Sequence, residues 1–489
     1  MNQLEATLSQ IRSGPGGAAV GAFFDFDGTI IEGYSATAFY THRLRNFEIA
    51  PDEAARTVLA AFGGTMTEEQ FAELAELGMR AWAGRDVADL DELGQRLFVQ
   101  GIAGALFHDA WRLVKAHQRK GHTVVIASSA TRFQVDSMAR ELGVEHVLCT
   151  PVEIEEGICT GRLGGPPLWG PGKATAVGRF ADAHGVDLAA SYAYANGAED
   201  VEFLASVGHP HPVNPGGALA EAAARRRWPA LRFDRGKRRF DPLPAARTAA
   251  MWGGFFASVG TGLGLGLFNR NRRQGVDLAT SLWGQLGPAL GDVRFNVAGA
   301  EHLWSHRPAV FLFNHQSSFM DLLVAFRLLE REFTFVAKKE LAGLPVIGPL
   351  FWLADVAFVD RGDTTKAIEA LEPVVQKLRS GVSVAISPEG TRSVTPQVGP
   401  FKKGAFRMAM AAGVPVVPVV VRNSGELMWR DSQIARAGTV DVVVHPPIQV
   451  SDWTAGELDQ RVAEVRRLYV DTLEEWPTLA SAADAAEVS

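Results

Sequence analysis

Residues 314–321, NHQSSFMD, lie between an apolar run typical of a strand (309–313) and a run typical of a helix (322–329). A histidine at such a turn, followed by an aspartate, can act as a general base with its orienting carboxylate. The carboxylate fixes the imidazole tautomer, and the other ring nitrogen takes a hydroxyl proton. Because a histidine at a strand end is more often structural, His315 and Asp321 alone leave both interpretations open.

Three further blocks follow this pair along the chain. They are SPEGTRS at 387–393, FKKGAF at 401–406 and VPVVPV at 414–419, with an apolar and basic stretch at 335–363 before them. Together, the four ordered blocks resemble the glycerophospholipid acyltransferases, the PlsC-like lysophosphatidate acyltransferase family, over roughly residues 293–450. The remainder of this region alternates strand-like and helix-like runs, which predicts an α/β acyltransferase domain.

The spacing within the histidine–aspartate pair departs from the family pattern, in which four residues separate the two. Here five residues, QSSFM, lie between His315 and Asp321. One extra helical residue turns a side chain by about 100° and moves it by about 1.5 Å. Either the turn takes up the extra residue before the helix begins, or the pair is broken. Because the other blocks are intact, we expect the turn to take it up.

The resemblance implies a 1-acylglycerol-3-phosphate O-acyltransferase, which transfers an acyl chain from acyl-CoA or acyl carrier protein to lysophosphatidate in phospholipid biosynthesis. His315 would be the base with Asp321 behind it, and direct attack of the acceptor hydroxyl on the thioester needs no metal. Arginine and lysine suit the acceptor phosphate through charge-assisted hydrogen bonds. By resemblance, the substrate-binding candidates are Lys338, Lys339, Arg361, Arg392, Glu389 and Gly390.

Near the start of the chain, the run AFFDFDGTI at 22–30 ends a strand-like pattern with two aspartates. Asp25 and Asp27 point to the same side, because side chains alternate along a strand. That arrangement suits a nucleophilic carboxylate at Asp25 and an acid/base carboxylate at Asp27 beside Mg²⁺. A strand that ends in a solvated acidic turn is the simpler explanation of these two residues alone.

Three later blocks strengthen the functional interpretation. Ser128 ends a strand-like run, Lys173 lies in a GKA segment, and residues 192–200 read YAYANGAED. With Asp25, these blocks resemble the haloacid-dehalogenase-like phosphatases, particularly the phosphoserine-phosphatase-like branch, over roughly residues 21–216. The resemblance implies a Rossmann-like α/β domain with a helical cap at about 33–107. It also implies that Ser128 binds phosphate and that Lys173 neutralises the phosphoryl group.

The acidic block departs from its family, because Ala195-Asn196 stands where the family has glycine-aspartate. The metal ligands implied by the resemblance are Asp25, Asp27, Asn196 and Asp200, and Asn196 can offer only a carbonyl oxygen to a hard cation. We therefore leave open a Mg²⁺-dependent phosphomonoesterase and a domain that only senses phosphate or supports the fold. For the whole chain, the alternative is a phosphomonoesterase whose C-terminal domain binds lipid without catalysis.

The composition agrees with a large intracellular enzyme. A chain of 489 residues has room for two or three domains, and 47% apolar residues suit sizeable cores. The formal net charge of -7 gives no reason to expect a nucleic-acid partner. The two cysteines, Cys149 and Cys159, imply no disulfide framework and fit a reducing compartment.

The sequence divides into a phosphatase-like domain (1–217), a basic linker rich in arginine and proline (218–248), a membrane-associating segment (249–292) and an acyltransferase domain (293–489). Residues 249–268 are 20 consecutive residues without a charge, just enough to span a bilayer. An odd number of crossings would separate two catalytic domains that both need cytosolic substrates. We therefore expect a re-entrant or monotopic anchor at the cytoplasmic face of the membrane, with a buried glycine-rich core helix as the alternative.

Overall fold

The computed structural model describes residues 3–49, 67–233, 242–338, 343, 356–359, 371–393, 395–428 and 434–477. The chain divides into two compact units, Met1–Lys237 and Arg238–Ser489, which we call the N-terminal and C-terminal units. Both units are α/β, as the sequence predicts.

The N-terminal unit is built on a parallel sheet. Its strands are Val20–Phe24 (β1), Thr123–Thr131 (β2), His146–Thr150 (β3), Val152–Glu155 (β4), Ile158–Leu163 (β5), Asp187–Ala195 (β6) and His209–Pro212 (β7). Five of them form a sheet with the order β3-β2-β1-β6-β7, and β4 pairs with β5 in a separate antiparallel ribbon. Strand β1, VGAFF, is buried at every residue, as expected for a parallel sheet that is covered on both faces.

Helices cover this sheet and occupy the predicted cap. They are Gln3–Ser13 (α1), Ala36–Arg45 (α2), Glu68–Arg80 (α3), Val87–Leu97 (α4), His108–Arg119 (α5), Arg132–Leu142 (α6), Pro171–His184 (α7), Val201–Ala205 (α8) and Gly217–Arg226 (α9). Helices α2 to α4 lie within the predicted cap, of which residues 50–66 are outside the described residues. Helix α3 begins with a capping box between Thr67 and Gln70, which satisfies two backbone N–H groups at its start.

The C-terminal unit contains a second sheet, with the strands Val293–Ala298 (β8), Val310–Phe313 (β9), Phe333–Lys338 (β10), Ala357–Val359 (β11), Ser383–Ile386 (β12), Val416–Val421 (β13) and Gly438–Val444 (β14). Their order is β11-β10-β12-β9-β13-β14-β8, and only the β13–β14 pair among these strands is antiparallel. Strand β13, VVPVVV, is buried throughout, so it lies near the centre of the core.

The helices of this unit include a long hairpin. Helix bounds are Pro242–Phe268 (α10), Arg272–Gly291 (α11), Ser318–Leu329 (α12), Glu372–Arg379 (α13), Gly404–Ala412 (α14), Ser424–Leu427 (α15) and Leu458–Glu474 (α16). Helices α10 and α11 touch through glycines, because a Cβ on Gly262 or on Gly275 would overlap the other glycine's carbonyl oxygen. Met251 of α10 and Trp283 of α11 enter the core of the unit.

The exposed face of the hairpin is apolar. Within the described residues, Leu243–Phe268 is the one helix long and apolar enough to cross a membrane, and 17% of its apolar window is buried. Leu267 is 71% exposed and Phe268 is 87% exposed. A fully buried core helix, the alternative from the sequence, is therefore wrong for this segment.

The predicted basic linker at 218–248 contains the division between the two units and has helical residues at both ends. Its first residues belong to α9, where an alanine-rich run favours helix, and its last residues form the first turns of α10. Pro242 and Pro244 are compatible with a helix start, because the N–H groups of the first turn have no partner within the helix. Residues 234–241 lie outside the described residues.

Candidate active sites

In the C-terminal unit, three neighbouring strands lead polar residues to one edge of the sheet. Strand β9 lies between β12 and β13, and both pair with it in parallel. Strand β9 ends shortly before His315, strand β12 shortly before Glu389 and strand β13 shortly before Ser424. In open α/β sheets, this carboxyl edge is where ligands bind.

His315 and Asp321 are in direct contact. His315 Nδ1 lies 2.8 Å from Asp321 Oδ2, and the same oxygen accepts hydrogen bonds from the backbone N–H groups of Gln316 and Ser317, each at 2.8 Å. Because this oxygen accepts from the backbone, Nδ1 carries the imidazole proton and Nε2 offers its lone pair. The His315 side chain is 29% exposed, and Nε2 makes no hydrogen bond within the part of the chain that the structure describes.

The extra residue between His315 and Asp321 lies ahead of the helix. Helix α12 begins at Ser318, and Ser317 is an N-cap with φ -136° and ψ 143°, in the extended region. The Ser317 hydroxyl accepts from the N–H of Met320. Asp321, in the first turn, reaches back to the extended link, so the longer spacing does not separate it from His315.

Glu389 lies beside this link. Its Oε1 accepts from the backbone N–H of His315 at 2.8 Å, and its Oε2 accepts from the Ser393 hydroxyl at 2.7 Å and from the N–H of Gly399 at 2.8 Å. Glu389 is 4% exposed, and burial raises the pKa of its carboxyl group, although the hydrogen bonds work in the opposite direction. Both oxygens therefore have protein donors, and Glu389 holds the backbone of the candidate base.

The link is held from its other side by residues after β13. The Ser424 hydroxyl donates a short hydrogen bond to Asp321 Oδ1. Gln316 donates to the carbonyl of Arg422 at 3.1 Å and accepts from the N–H of Gly425 at 3.2 Å. Asp321 thus has donors on both carboxylate oxygens, and its orientation is fixed by two segments of the chain.

The N-terminal unit has a comparable edge. Asp25 follows β1, Ser128 lies near the end of β2 and Asn196 follows β6, and these three strands are neighbours. Lys173 is in the first turn of α7. The fold thus brings together residues that lie more than 170 positions apart in the sequence, from Asp25 to Asn196.

An ion-pair cluster fills the centre of this edge. Lys173 Nζ lies 2.8 Å from Asp25 Oδ1 and 2.6 Å from Asp200 Oδ1, and all three side chains are buried. Burial raises the pKa of Asp200 to about 7 against the pull of the ammonium group. Burial alone would lower the pKa of Lys173, but the two carboxylates outweigh it and raise this pKa. Thr29 donates to the other oxygen of Asp25 at 3.0 Å.

The other predicted residues of this edge have partners of their own. Ser35 donates to Asp27 through its N–H, at 2.6 Å, and through its hydroxyl, at 3.1 Å. Burial raises the pKa of Asp27 to about 7, and the Ser35 hydrogen bonds oppose this rise. Ser128 is fully buried and accepts from the N–H of Ala130 at 3.1 Å.

Comparison with known proteins agrees with the two units. The model of haloacid dehalogenase-like hydrolases matches residues 22–205, and the acyltransferase model matches residues 294–422. The 1-acyl-sn-glycerol-3-phosphate acyltransferase of Salmonella typhimurium is 30% identical over 203 residues, which are 41% of this chain and 81% of that protein. The chain belongs to the acyltransferase family. Its N-terminal unit is a haloacid-dehalogenase-like hydrolase unit.

Other relatives extend this comparison. A chloroplastic 1-acyl-sn-glycerol-3-phosphate acyltransferase of Brassica napus is 34% identical over 41% of this chain, and the match spans 59% of that protein, a little over half of its length. The crystal structure of the 1-acyl-sn-glycerophosphate acyltransferase from Thermotoga maritima has a TM-score of 0.41 and 24% identity, with 48% of this chain and 98% of that chain covered. A phosphoserine phosphatase structure has a TM-score of 0.34 and 17% identity, with 45% of this chain and 95% of that chain covered.

The donors present in the hydrolase unit do not fit Mg²⁺. The Asp27 carboxylate is held by Ser35, and the Asp200 carboxylate is paired with Lys173. Asn196 adds no charge to the set, although Mg²⁺ is best held by anionic oxygen ligands in octahedral geometry. Among the described residues, there is no group of three or more histidine, cysteine or acidic side chains that could hold a metal ion. Mg²⁺ binding by Asp25, Asp27, Asn196 and Asp200, which the sequence resemblance implies, stays a prediction, and these contacts argue against it.

The described residues include only part of the predicted acyltransferase site. Lys339 and Arg361 are not among them. Lys338 ends β10, but its side chain is also outside them. Arg392 and Gly390 lie in the turn after β12, on the same edge as His315.

Sequence reasoning missed Ser424 and Lys402. Ser424 belongs to a polar run after a buried strand, the same signal that marked His315, but this run is not part of any block that carried the family resemblance. Lys402 lies within one such block, and its ammonium group would be 3.0 Å from a Cβ at Gly390. Gly390 has φ +72°, so it combines a left-handed backbone with a cation beside it.

Proposed function

We propose that this chain is a 1-acylglycerol-3-phosphate O-acyltransferase that uses His315 as its general base. In this reaction, His315 Nε2 takes the proton of the acceptor hydroxyl while that oxygen attacks the thioester carbonyl of the acyl donor. The carbon–sulfur bond breaks, and the thiol leaves with the proton that the imidazolium returns. The step needs no metal, and it converts lysophosphatidate and acyl-CoA or acyl carrier protein into the diacyl product.

One observation carries this proposal: the 2.8 Å contact between His315 Nδ1 and Asp321 Oδ2. It leaves the lone pair on the partly exposed Nε2 and places a carboxylate behind the imidazolium that forms. Glu389 and Ser424 support the same geometry from either side, the first through the His315 backbone and the second through Asp321. We assign them as positioning residues.

For the acceptor phosphate, we propose Arg392 and Lys402. Arg392 lies in the turn after β12, and Lys402 lies beside Gly390. A guanidinium and an ammonium group at one edge would bind a phosphate dianion through charge-assisted hydrogen bonds. Lys338, Lys339 and Arg361 stay candidates from the family resemblance.

We propose that the α10–α11 hairpin attaches the chain to the cytoplasmic face of a membrane. The exposed apolar side chains of α10 support this attachment. The cytoplasmic face follows from the proposed reaction, which needs a cytosolic acyl thioester. Flotation of the full chain with anionic phospholipid vesicles tests it. The double variant Leu267→Glu, Phe268→Glu should abolish flotation. The control Glu457→Gln, at an exposed position of the same unit, should leave flotation unchanged.

The second candidate is a phosphomonoesterase whose C-terminal unit binds lipid without catalysis. The fold of the N-terminal unit and the Asp25–Lys173 pair favour it. The intact His315–Asp321 contact favours acyl transfer instead, because a unit that only binds lipid has no need of an oriented base.

The test is an assay of the full chain with lysophosphatidate and acyl-CoA, in which free thiol and diacyl product are measured. General-base catalysis contributes roughly 10²- to 10⁴-fold, so His315→Ala should lower turnover by that factor. His306, exposed in the same unit, supplies the control His306→Ala. Unchanged turnover in a folded His315→Ala protein contradicts the proposal. Phosphate release that requires Asp25, without any acyl transfer, favours the second candidate.

A further inference from the structure

The amide group of Asn196 faces the oxygen atoms that a divalent cation would use in the N-terminal unit. With its nitrogen turned inward, the amide lies 2.9 Å from the Asp27 carbonyl oxygen, 3.2 Å from the Thr29 hydroxyl and 3.2 Å from Asp25 Oδ2. These three oxygens belong to the chain segment that follows β1. One side chain thus contacts the carbonyl, the hydroxyl and the carboxylate together.

The inward direction of the nitrogen follows from which neighbouring atoms can donate a hydrogen bond and which can only accept one. In the opposite orientation, the amide oxygen faces only acceptors and the nitrogen faces only donors. Two of the three inner oxygens, a carbonyl and a carboxylate, cannot donate, so the group opposite them must. Gly28 encloses the amide further, because a Cβ there would overlap it.

The carboxylates beside the amide already have protein partners. Asp25 has an ammonium partner in Lys173, a hydroxyl donor in Thr29 and the amide N–H of Asn196. Asp200 shares the same ammonium group. With an aspartate at position 196, the inner oxygens would face another carboxylate, and only a cation could hold these groups together. The asparagine supplies a donor and removes one negative charge.

We propose that Asn196 takes the place of the divalent cation in this unit, so that the cluster of Asp25, Lys173, Asp200 and Asn196 is complete without metal. The unit then has a hydrolase fold that does not depend on Mg²⁺ for its structure and binds it weakly. This inference concerns the N-terminal unit alone and does not rest on acyl transfer.

The test measures metal binding directly. Mn²⁺ is titrated into the full chain, the free ion is followed by electron paramagnetic resonance, and Mg²⁺ is used as competitor. Loss of an outer-shell partner typically costs roughly 10- to 100-fold in metal affinity. Exchange of a direct ligand should change the metal affinity by at least this factor. We therefore expect Asn196→Asp to bind one Mn²⁺ per chain at least roughly 10- to 100-fold more tightly than wild type. Asn196→Asp combined with Asp25→Asn should lose the gain.

Asn46→Asp is the matched control, because it adds the same charge to an exposed position of the same unit. It should leave the titration as in wild type. Wild-type protein that binds one Mn²⁺ as tightly as Asn196→Asp, with binding lost in Asp25→Asn, overturns the inference. If Asn196→Asp folds and gains no affinity, Asn196 is not what excludes the cation, and the inference is also wrong. If Asn196→Asp does not fold, the wild-type titration with and without Asp25→Asn decides by itself.

Discussion

The two units carry polar clusters at the same place in their folds, the carboxyl ends of neighbouring parallel strands, but only one cluster is open. In the N-terminal unit, Lys173 is 2% exposed, and its ammonium group is shared by the carboxylates of Asp25 and Asp200. In the C-terminal unit, the His315 side chain is 29% exposed, and the hydrogen bonds that hold it use Nδ1 and the backbone.

This difference separates two uses of buried polarity. Buried ion pairs in a site of low dielectric are costly to break from one side, so they hold a particular arrangement of the fold. A cluster whose hydrogen bonds orient one residue, and which leaves the basic Nε2 of that residue accessible, can move a proton. The same strand edge therefore supports a closed cluster in one unit and a candidate catalytic base in the other.

The largest effect should come from Asp321→Asn. The variant keeps the side-chain volume, but the amide is uncharged, and its oxygen accepts from His315 and from the two backbone N–H groups more weakly than a carboxylate does. The imidazole then loses its orientation and the charge that stabilises the imidazolium. We expect kcat/KM for acyl transfer to fall by roughly 10²- to 10⁴-fold.

Asp452→Asn is the control for this measurement, because Asp452 is an exposed carboxylate of the same unit. It should leave kcat/KM unchanged. Full activity of a folded Asp321→Asn protein would remove the distinction between an open, catalytic cluster and a closed one.

The second effect concerns stability, and it lies in the other unit. Lys173→Met leaves two buried carboxylates without their cation, and breaking a buried ion pair from one side costs about 3–5 kcal/mol of unfolding free energy. Hydrogen exchange of the β1 and β6 amides reports this loss for the N-terminal unit. Acyl transfer should be unchanged.

Lys120→Met serves as its control, because the Lys120 ammonium group donates to the backbone carbonyl of Arg12 at 3.2 Å and not to a buried carboxylate. Exchange rates in β1 and β6 should stay near wild type. A loss of acyl transfer in Lys173→Met, with the C-terminal strands still protected, would show that the closed cluster also serves the other reaction.

Much of this comparison was accessible from the sequence. Strand-like runs followed by His315 or Asp25 predicted two α/β units and the residues at their strand ends, because such runs and turns are local signals. The link from Ser424 to Asp321 was not accessible, since it joins residues 103 positions apart and depends on β9 and β13 being neighbours. The direction of the Asn196 amide was equally hidden, because it is decided by three oxygens of another segment.

The boundaries of the hairpin were predicted less well. The charge-free run at 249–268 marked the apolar part of α10, but the helix begins at Pro242, within a stretch whose arginines suggested a linker. Charge alone does not end a helix when the first turn is exposed and its prolines occupy positions without a hydrogen-bond partner.

A smaller effect should separate the units by pH. Burial lowers the pKa of His211 to about 4 and the pKa of His117 well below its usual value. Both histidines are therefore neutral in the folded N-terminal unit. In the unfolded chain they take up protons once the pH falls below their ordinary pKa of about 6.5, so the unfolded state then binds more protons than the folded state. Stability from His211 is present above about pH 6.5 and is lost as pH falls toward about 4. The contribution of His211 should lower the free energy of unfolding by about 1.4 kcal/mol when the pH falls from about 7.5 to about 5.5.

Hydrogen exchange of β6 and β7 amides at the two pH values measures this loss. His211→Phe keeps the ring against Tyr194, with which His211 stacks, and should remove the His211 share of the pH dependence. His184→Phe changes an exposed histidine and should not. An equal pH dependence in wild type and His211→Phe would assign the acid sensitivity to other groups.

The smallest effect should come from Ser424→Ala. Asp321 keeps the donors on its Oδ2 when the hydroxyl on Oδ1 is removed, so the carboxylate is not left unpaired. A single hydrogen bond is worth roughly 0.5–1.5 kcal/mol, which corresponds to about a 2- to 12-fold loss in kcat/KM.

The pH–rate profile separates two roles for Ser424. A purely structural role would leave the profile in place. A positioning role moves its acidic limb to higher pH, because a carboxylate with one donor fewer attracts the imidazolium more strongly. Ser451→Ala, at an exposed serine, supplies the control. A lower rate with an unmoved profile would make Ser424 part of the scaffold, whereas a moved profile would make it the part of the open cluster that tunes the base.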